Sequence, residues 1–341
     1  MMRACVIAVL GALLMAVPLS AQDQGPYPRL PGPPVKSPPD TSAPNIPGVV
    51  AQGTPVHLVR DLFHSTEGPI AMPDGSLLFT EQDAGDGRLV KIDRDDNIWT
   101  VDKGSDMVVK FNPAGRVQMV FGRRMESTSP NTKPHAHVTP PRPAVDGLFR
   151  EPTDVAWDRE GNIYITDGYI NSRVAKYTST GDWVKQWGEY GMEPGQFRTP
   201  HAIAIDNNNH IYVGDRSNTR VQVFDTDGKF LRSFTLDVPP APGTKSVYGN
   251  TATGARLAEL IGAPNAICIT PGEKQVMFVG ELTFPGRILK VSLDGKVLGV
   301  IGRSGRNLKQ FSGGHQLACP NENEIYVAET ANWRVQKLIL K

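Results

Sequence analysis

Six acidic residues each close a short apolar run: Glu81, Asp102, Asp167, Asp215, Glu281 and Glu329. Fourteen residues before two of them stand His201 and His315. The same step back from the others reaches Glu67, Arg88 and Thr153, and with allowance for a longer hairpin it reaches Asn265. Equivalent places in a repeat face a common axis, so two imidazoles, a carboxylate and an amide would converge there. Neutral imidazole is a common metal ligand, and three protein ligands with one open position make a catalytic zinc site. The two histidines therefore read either as metal ligands or as hydrogen-bonded channel residues. Arg88, in the same ring, repels a cation.

Strands must position these residues. The stretch Leu148–Phe234 writes one pattern of about fifty residues twice, pairing Phe149 with Phe197, Pro152 with Pro200 and Asp167 with Asp215. Each copy holds four runs rich in Val, Ile, Tyr, Phe and Trp, separated by turns such as Arg159-Glu160-Gly161-Asn162. Four strands at this period make a propeller blade, and six acidic anchors predict an all-β, six-bladed β-propeller with its ligand site at the channel mouth. The last blade runs out after three strands, and Pro55–Leu62 is expected to supply its outer strand and so remove a free edge. Glu81 and Asp102 are only 21 residues apart, so one N-terminal blade is expected to be truncated. Two insertions interrupt the order: 124–147, with His135 and His137, and 239–261.

Within 341 residues, a net charge of +1 and no basic block argue against nucleic acid as a partner. Beyond the N-terminus no run is apolar for 18 residues, so no membrane span is expected. Arg3, the apolar run Ala4–Val17 and the small residues Ser20 and Ala21 read as a signal peptide over 1–21, which implies a secreted or periplasmic protein. Nine prolines mark 22–53 as a disordered tether, leaving 54–341 as the propeller, a closed shape expected to be monomeric. Cys268 and Cys319 either pair or are buried separately.

The repeats resemble NHL repeats, and the string DGYINSRVAKY…WGEYG…PGQFRTPHAIAI…VGDRSNTRVQVF is similar to the peptidyl-α-hydroxyglycine α-amidating lyase family. That resemblance covers about 40% of the chain, from Val117 to Phe234 and from Gly313 to Leu340. It implies a six-bladed propeller holding zinc on three histidines, with a tyrosine as base and arginines that steer a small-molecule or peptide substrate. The matching positions are His201 and His315 for zinc, Tyr169 for the base and Arg216 for one arginine. Arg88 stands where the third histidine is expected, and the family's first-blade arginine has no counterpart. Gln316 stands where the family has an acidic residue tied to a structural calcium. Two alternatives remain. Glu67-Gly68-Pro69 and Pro264-Asn265-Ala266 resemble the metal-binding motifs of gluconolactonase-type hydrolases, where Glu67 and Asn265 would be ligands and calcium a possible metal. A non-catalytic binding propeller is the other.

Overall fold

Turn residues at short intervals and β-branched or aromatic runs between them favour strands over helices, and the described residues form strands joined by short turns. The computed structural model describes residues 41–42, 55–60, 66–71, 77–81, 88–123, 143–245, 261–282, 284–332 and 334–340. The expected signal peptide, most of the expected tether, and His135 and His137 lie outside the described residues.

The first strands are β1 (Thr41–Ser42), β2 (Pro55–Arg60), β3 (Thr66–Ala71) and β4 (Leu77–Glu81). Next come β5 (Arg88–Ile92), β6 (Ile98–Asp102), β7 (Met107–Phe111) and β8 (Val117–Gly122), then β9 (Asp154–Trp157), β10 (Ile163–Asp167), β11 (Arg173–Tyr177) and β12 (Trp183–Trp187). The double repeat ends with β13 (Pro200–Ile205), β14 (Ile211–Asp215), β15 (Arg220–Phe224) and β16 (Phe230–Thr235). The chain closes with β17 (Pro264–Ile269), β18 (Met277–Glu281), β19 (Ile288–Val291), β20 (Val297–Ile301), β21 (Gly314–Asn321), β22 (Glu324–Glu329) and β23 (Arg334–Ile339).

These strands form a β-propeller. Five sheets carry the four or more strands of a complete blade, whereas β3 and β4 form a sheet of two. Among the described residues the structure thus has five full blades and one two-stranded sheet, where six blades with one truncated were expected, because the short distance from Glu81 to Asp102 leaves no chain for two further strands. In the last sheet β2 pairs antiparallel with β23, so the N-terminal strand supplies the outer edge, and β1 adds a fifth strand beyond it. Thr41 and Ser42, inside the expected tether, are therefore strand residues.

Burial follows from the stacking of sheets face to face. The middle strands β10, β14 and β18 are buried at every position, since a neighbouring blade covers each face. The outer strands β12 and β16 instead alternate toward solvent. The larger apolar clusters each bridge two adjacent sheets: Val155, Ile165 and Ala175 pack on Trp99, Val101 and Val108, and Phe197, Ile203 and Phe224 pack on Tyr164 and Val174. The Cys268–Cys319 disulfide crosses between β17 and β21, with Cα atoms 6.1 Å apart, and resolves the choice left open by the sequence.

A second recurring device ties the loops on one face. Asp167 accepts from the Arg150 backbone N–H, from Asn171 and from Arg173, whose guanidinium also donates to the carbonyls of Val145 and Leu148. Asp215, Asn218 and Arg220 repeat the arrangement with the Arg198 backbone N–H and the carbonyls of Met192, Glu193 and Gln196. Glu281 with Arg287, and Glu329 with Arg334, do the same. In the blade of Asp102 the corresponding pairing partner is Met107, and Asp102 instead accepts from the backbone N–H groups of Gly104 and Ser105 in its own turn.

Arg173 and Asp167 are fully buried, so removing one partner strands the other's charge. Arg173→Met is expected to cost about 3–5 kcal/mol in urea unfolding and to speed amide exchange in residues 145–150 first. A loss below about 1 kcal/mol would refute that role. Closing a loop of 51 residues, the disulfide is expected to contribute about 3–4 kcal/mol, read as the drop in unfolding free energy of Cys268→Ser.

Candidate functional site

Three inner strands carry a β-bulge at the same step. Pro200 pairs with Asp215 and Ala202 with Gly214, which leaves His201 outside the ladder. Asn265 is left out between Pro264 and Ala266, and His315 between Gly314 and Gln316. A bulge re-aims its side chain, and here it brings the rings of His201 and His315 to 4.8 Å between centroids. Strand β5 has no bulge: Arg88 pairs with Asp102 and Leu89 with Val101. Arg88 therefore takes the pairing place of Pro200 and Gly314, not that of His201. The expectation of Arg88 at a third histidine's place is corrected, because without the extra residue that place does not exist in this blade. Glu67 pairs in register with Thr80, and the irregularity of β3 falls after it, between Glu67 and Ile70.

Within the double repeat, Tyr169 sits just past β10 and Arg216 just past β14. Tyr169 Oη lies 2.9 Å from His201 Nε2. His201 Nδ1 lies 2.7 Å from the Asn265 carbonyl oxygen, which can only accept, so Nδ1 carries the hydrogen and Nε2 presents its lone pair to the tyrosine hydroxyl. Arg216 donates to Asn265 Oδ1 at 3.0 Å and to Tyr169 Oη at 3.4 Å. Asn265 Nδ2 donates to the Gly314 carbonyl at 3.1 Å, so both ends of that side chain are engaged. The structure thus brings Tyr169, His201, Arg216, Asn265 and His315 together.

Lys103 belongs to the same cluster and was absent from the sequence reading. Its Nζ lies 4.6 Å from the centre of the Tyr169 ring and 3.7 Å from Glu151 Oε2. The signal was available: Lys103 follows Asp102 as Arg216 follows Asp215. Charge explains the state of the imidazoles. Burial, then Arg216 and His315, hold His201 well below the usual histidine range against the pull of the Asn265 carbonyl. Burial, then Arg216 and Lys103, push His315 down to about 3.

As donors for zinc, two neutral imidazoles fit, and the His201 Nδ1–H bond to a carbonyl is the outer support that metal-bound imidazoles use. Among the described residues no three His, Cys, Asp or Glu side chains gather. A third protein ligand therefore does not come from that set, and the two nearby cations oppose a metal's charge.

Residues 197–224 match the NHL repeat. Mouse peptidyl-glycine α-amidating monooxygenase is 31% identical over 51% of this chain, and a probable peptidyl-α-hydroxyglycine α-amidating lyase of Caenorhabditis elegans is 33% identical over 59%. The chain is a β-propeller that carries an NHL repeat over residues 197–224 and resembles the amidating lyases. A Drosophila melanogaster peptidyl-α-hydroxyglycine α-amidating lyase is 26% identical over 73% of the chain. The matches span 17%, 62% and 43% of the mouse, C. elegans and Drosophila relatives. A gluconolactonase of Xanthomonas campestris superposes with a TM-score of 0.55 at 13% identity, covering 93% of this chain and 99% of that one, and supports the fold alone. The residues quoted for the resemblance, Tyr169, His201 and Arg216, are the ones that meet at hydrogen-bonding distance.

An ordinary histidine takes its proton near pH 6.5. Because the folded state holds His201 and His315 lower, the unfolded chain binds those protons first, and stability falls as pH drops below about 6.5, for His315 down to about 3. In chelator-treated protein the thermal midpoint is expected to fall between pH 7 and pH 5, and His315→Asn to flatten the fall. An identical pH slope in the variant would overturn this.

Proposed function

We propose that the protein is an exported, metal-dependent lyase that splits the carbinolamide N–C bond of peptides ending in α-hydroxyglycine, giving a peptide amide and glyoxylate. One observation carries the reading: Tyr169 Oη stands between His201 Nε2 and the Arg216 guanidinium. The likeness to the amidating lyases supports the substrate class. The order of Arg3, the apolar run Ala4–Val17 and the small pair Ser20-Ala21 supports export. The two-stranded β3–β4 sheet packs beside β21 and β5, which supports its service as a sixth, reduced blade.

His201 and His315 would hold zinc, which when bound supplies a Lewis acid for the substrate's oxygen. Tyr169 Oη accepts the proton of the substrate hydroxyl. As the hydroxyl carbon becomes the aldehyde of glyoxylate, the N–C electron pair leaves with the amide nitrogen, which takes up the phenolic proton that Tyr169 gives up as it accepts that of the hydroxyl. Atoms and charge balance with no water consumed. Arg216 offers a planar fork to the substrate carboxylate and keeps its place through Asn265 Oδ1.

Purified protein supplied with zinc is expected to release glyoxylate from a peptide ending in α-hydroxyglycine. Tyr169→Phe should lower kcat by about 10²–10⁴-fold, and His201→Ala should lose the metal. Absence of turnover in the zinc-supplied parent overturns the proposal. Calcium lost on Glu67→Gln would instead favour the gluconolactonase-like hydrolase, and absence of any metal would favour the binding propeller.

A further inference from the structure

Three successive blades each send a side chain from the same turn into one place. Lys103 is the first residue past the anchor Asp102, Tyr169 the second past Asp167, and Arg216 the first past Asp215. The Lys103 ammonium lies 4.6 Å from the centre of the Tyr169 ring, and the Arg216 guanidinium carbon lies 5.2 Å from the same centre. Tyr169 is thus flanked by two cations from the blades on either side of its own.

Each cation is held in place by neighbouring groups. The Lys103 turn is pinned by Asp102, which accepts from the backbone N–H groups of Gly104 and Ser105 at 3.0 and 3.2 Å. Lys103 itself faces Glu151 Oε2 at 3.7 Å, and Glu151 is fixed through its backbone N–H to Asp106 Oδ1 at 2.8 Å. Arg216 Nη1 is fixed by Asn265 Oδ1 at 3.0 Å. An ammonium offers three donors and a guanidinium five, each of a kind that a carboxylate's oxygens accept from. Beside Tyr169 the two cations thus face the carboxylate of Glu151 and the amide of Asn265.

We propose that Lys103 and Arg216 form a two-cation clamp that holds the substrate's carboxylate beside Tyr169, with Lys103 the residue that makes the site demand a free carboxylate. The choice of a carboxylate rests on the amidating-lyase reading. The clamp itself is a statement about binding and is measured without turnover. Arg216 aligns the anion in its planar fork, and Lys103 supplies a point charge from the opposite blade. Glu151 acts through Lys103 as a positioning residue.

The test is calorimetric titration of the full-length protein with two peptides that share a sequence and end in glycine, one as the free acid and one as the amide. The parent is expected to prefer the acid by about tenfold or more, as a charge-assisted contact requires. Lys103→Met should remove most of that preference, leaving the affinity for the amide little changed, and Lys103→Arg should restore it. A thermal midpoint recorded for each variant separates loss of fold from loss of the clamp. The proposal is overturned if the parent has no preference for the acid, or if Lys103→Met lowers the midpoint but leaves the acid-to-amide ratio intact, as a purely structural partner of Glu151 would. A protein that prefers the acid through Lys103 yet releases no glyoxylate would keep the clamp and lose the lyase reading. Glyoxylate release with an unchanged ratio in Lys103→Met would do the reverse.

Discussion

The buried acid–arginine pair is the interaction on which the site face depends. In the blades of Asp167, Asp215, Glu281 and Glu329 the anchor carboxylate stands where a middle strand ends, and an arginine reaches from the next strand to the carbonyls of the loop that enters the blade. Burial pushes Asp167 and Asp215 above the ordinary carboxylate range even with an arginine beside each, which is the desolvation cost of the arrangement. That cost is accepted because one charged pair satisfies several loop groups that would otherwise be buried without partners. Loops held this way can carry side chains to fixed points, and Tyr169 and Arg216 both follow directly from anchored strand ends.

From the anchors the bulges take over. A strand that paired continuously would point successive side chains alternately to its two faces, and the ring of inner strands would present only what that alternation allows. The extra residue at His201, Asn265 and His315 breaks the alternation at the rung beside the anchor, so an imidazole or amide leaves the ladder there. Where the bulge is missing, as in β5, the same sequence spacing delivers a ladder residue instead. The blade of Asp102 differs twice, in lacking the bulge and in having Met107 where its neighbours have arginine. Its contribution to the site comes from the turn, through Lys103.

Much of this was readable from residue order alone. Spacing between Phe149 and Phe197, and between Asp167 and Asp215, exposes the repeat, and the period with its strand count sets the blade. The missing last strand and the apolar run Pro55–Leu62 together foretell that β2 pairs with β23. Counting back from the anchors finds His201 and His315. What spacing does not encode is whether a strand is bulged: Arg88 and His201 stand the same number of residues before their anchors, yet only one leaves the ladder. Nor does it encode which of several lysines lies over a tyrosine, since that depends on the rotation between blades. Cys268 and Cys319 pair because they occupy facing levels of adjacent inner strands, a register visible only once the ring is formed.

Electrostatics then decides what the site accepts. Burial together with the cations Arg216 and Lys103 disfavours protonation of the two imidazoles, so both stay neutral, and the lone pair of His201 Nε2 faces Tyr169 Oη. The Asn265 carbonyl selects which nitrogen of His201 does so. Neutral donors at the centre and fixed cations at the rim make opposite demands on a guest. The centre suits an electrophile or a hydroxyl proton, and the rim suits an anion. A molecule that carries a hydroxyl and a carboxylate on the same carbon would answer both at once, with its reacting group at Tyr169 and its charge between Lys103 and Arg216. A metal at the centre would meet those two cations with no described acidic side chain as its ligand, and the bound carboxylate would then be the nearest negative charge available to offset them. Metal and anionic guest would in that case stabilise each other, each relieving the repulsion that the other leaves in place.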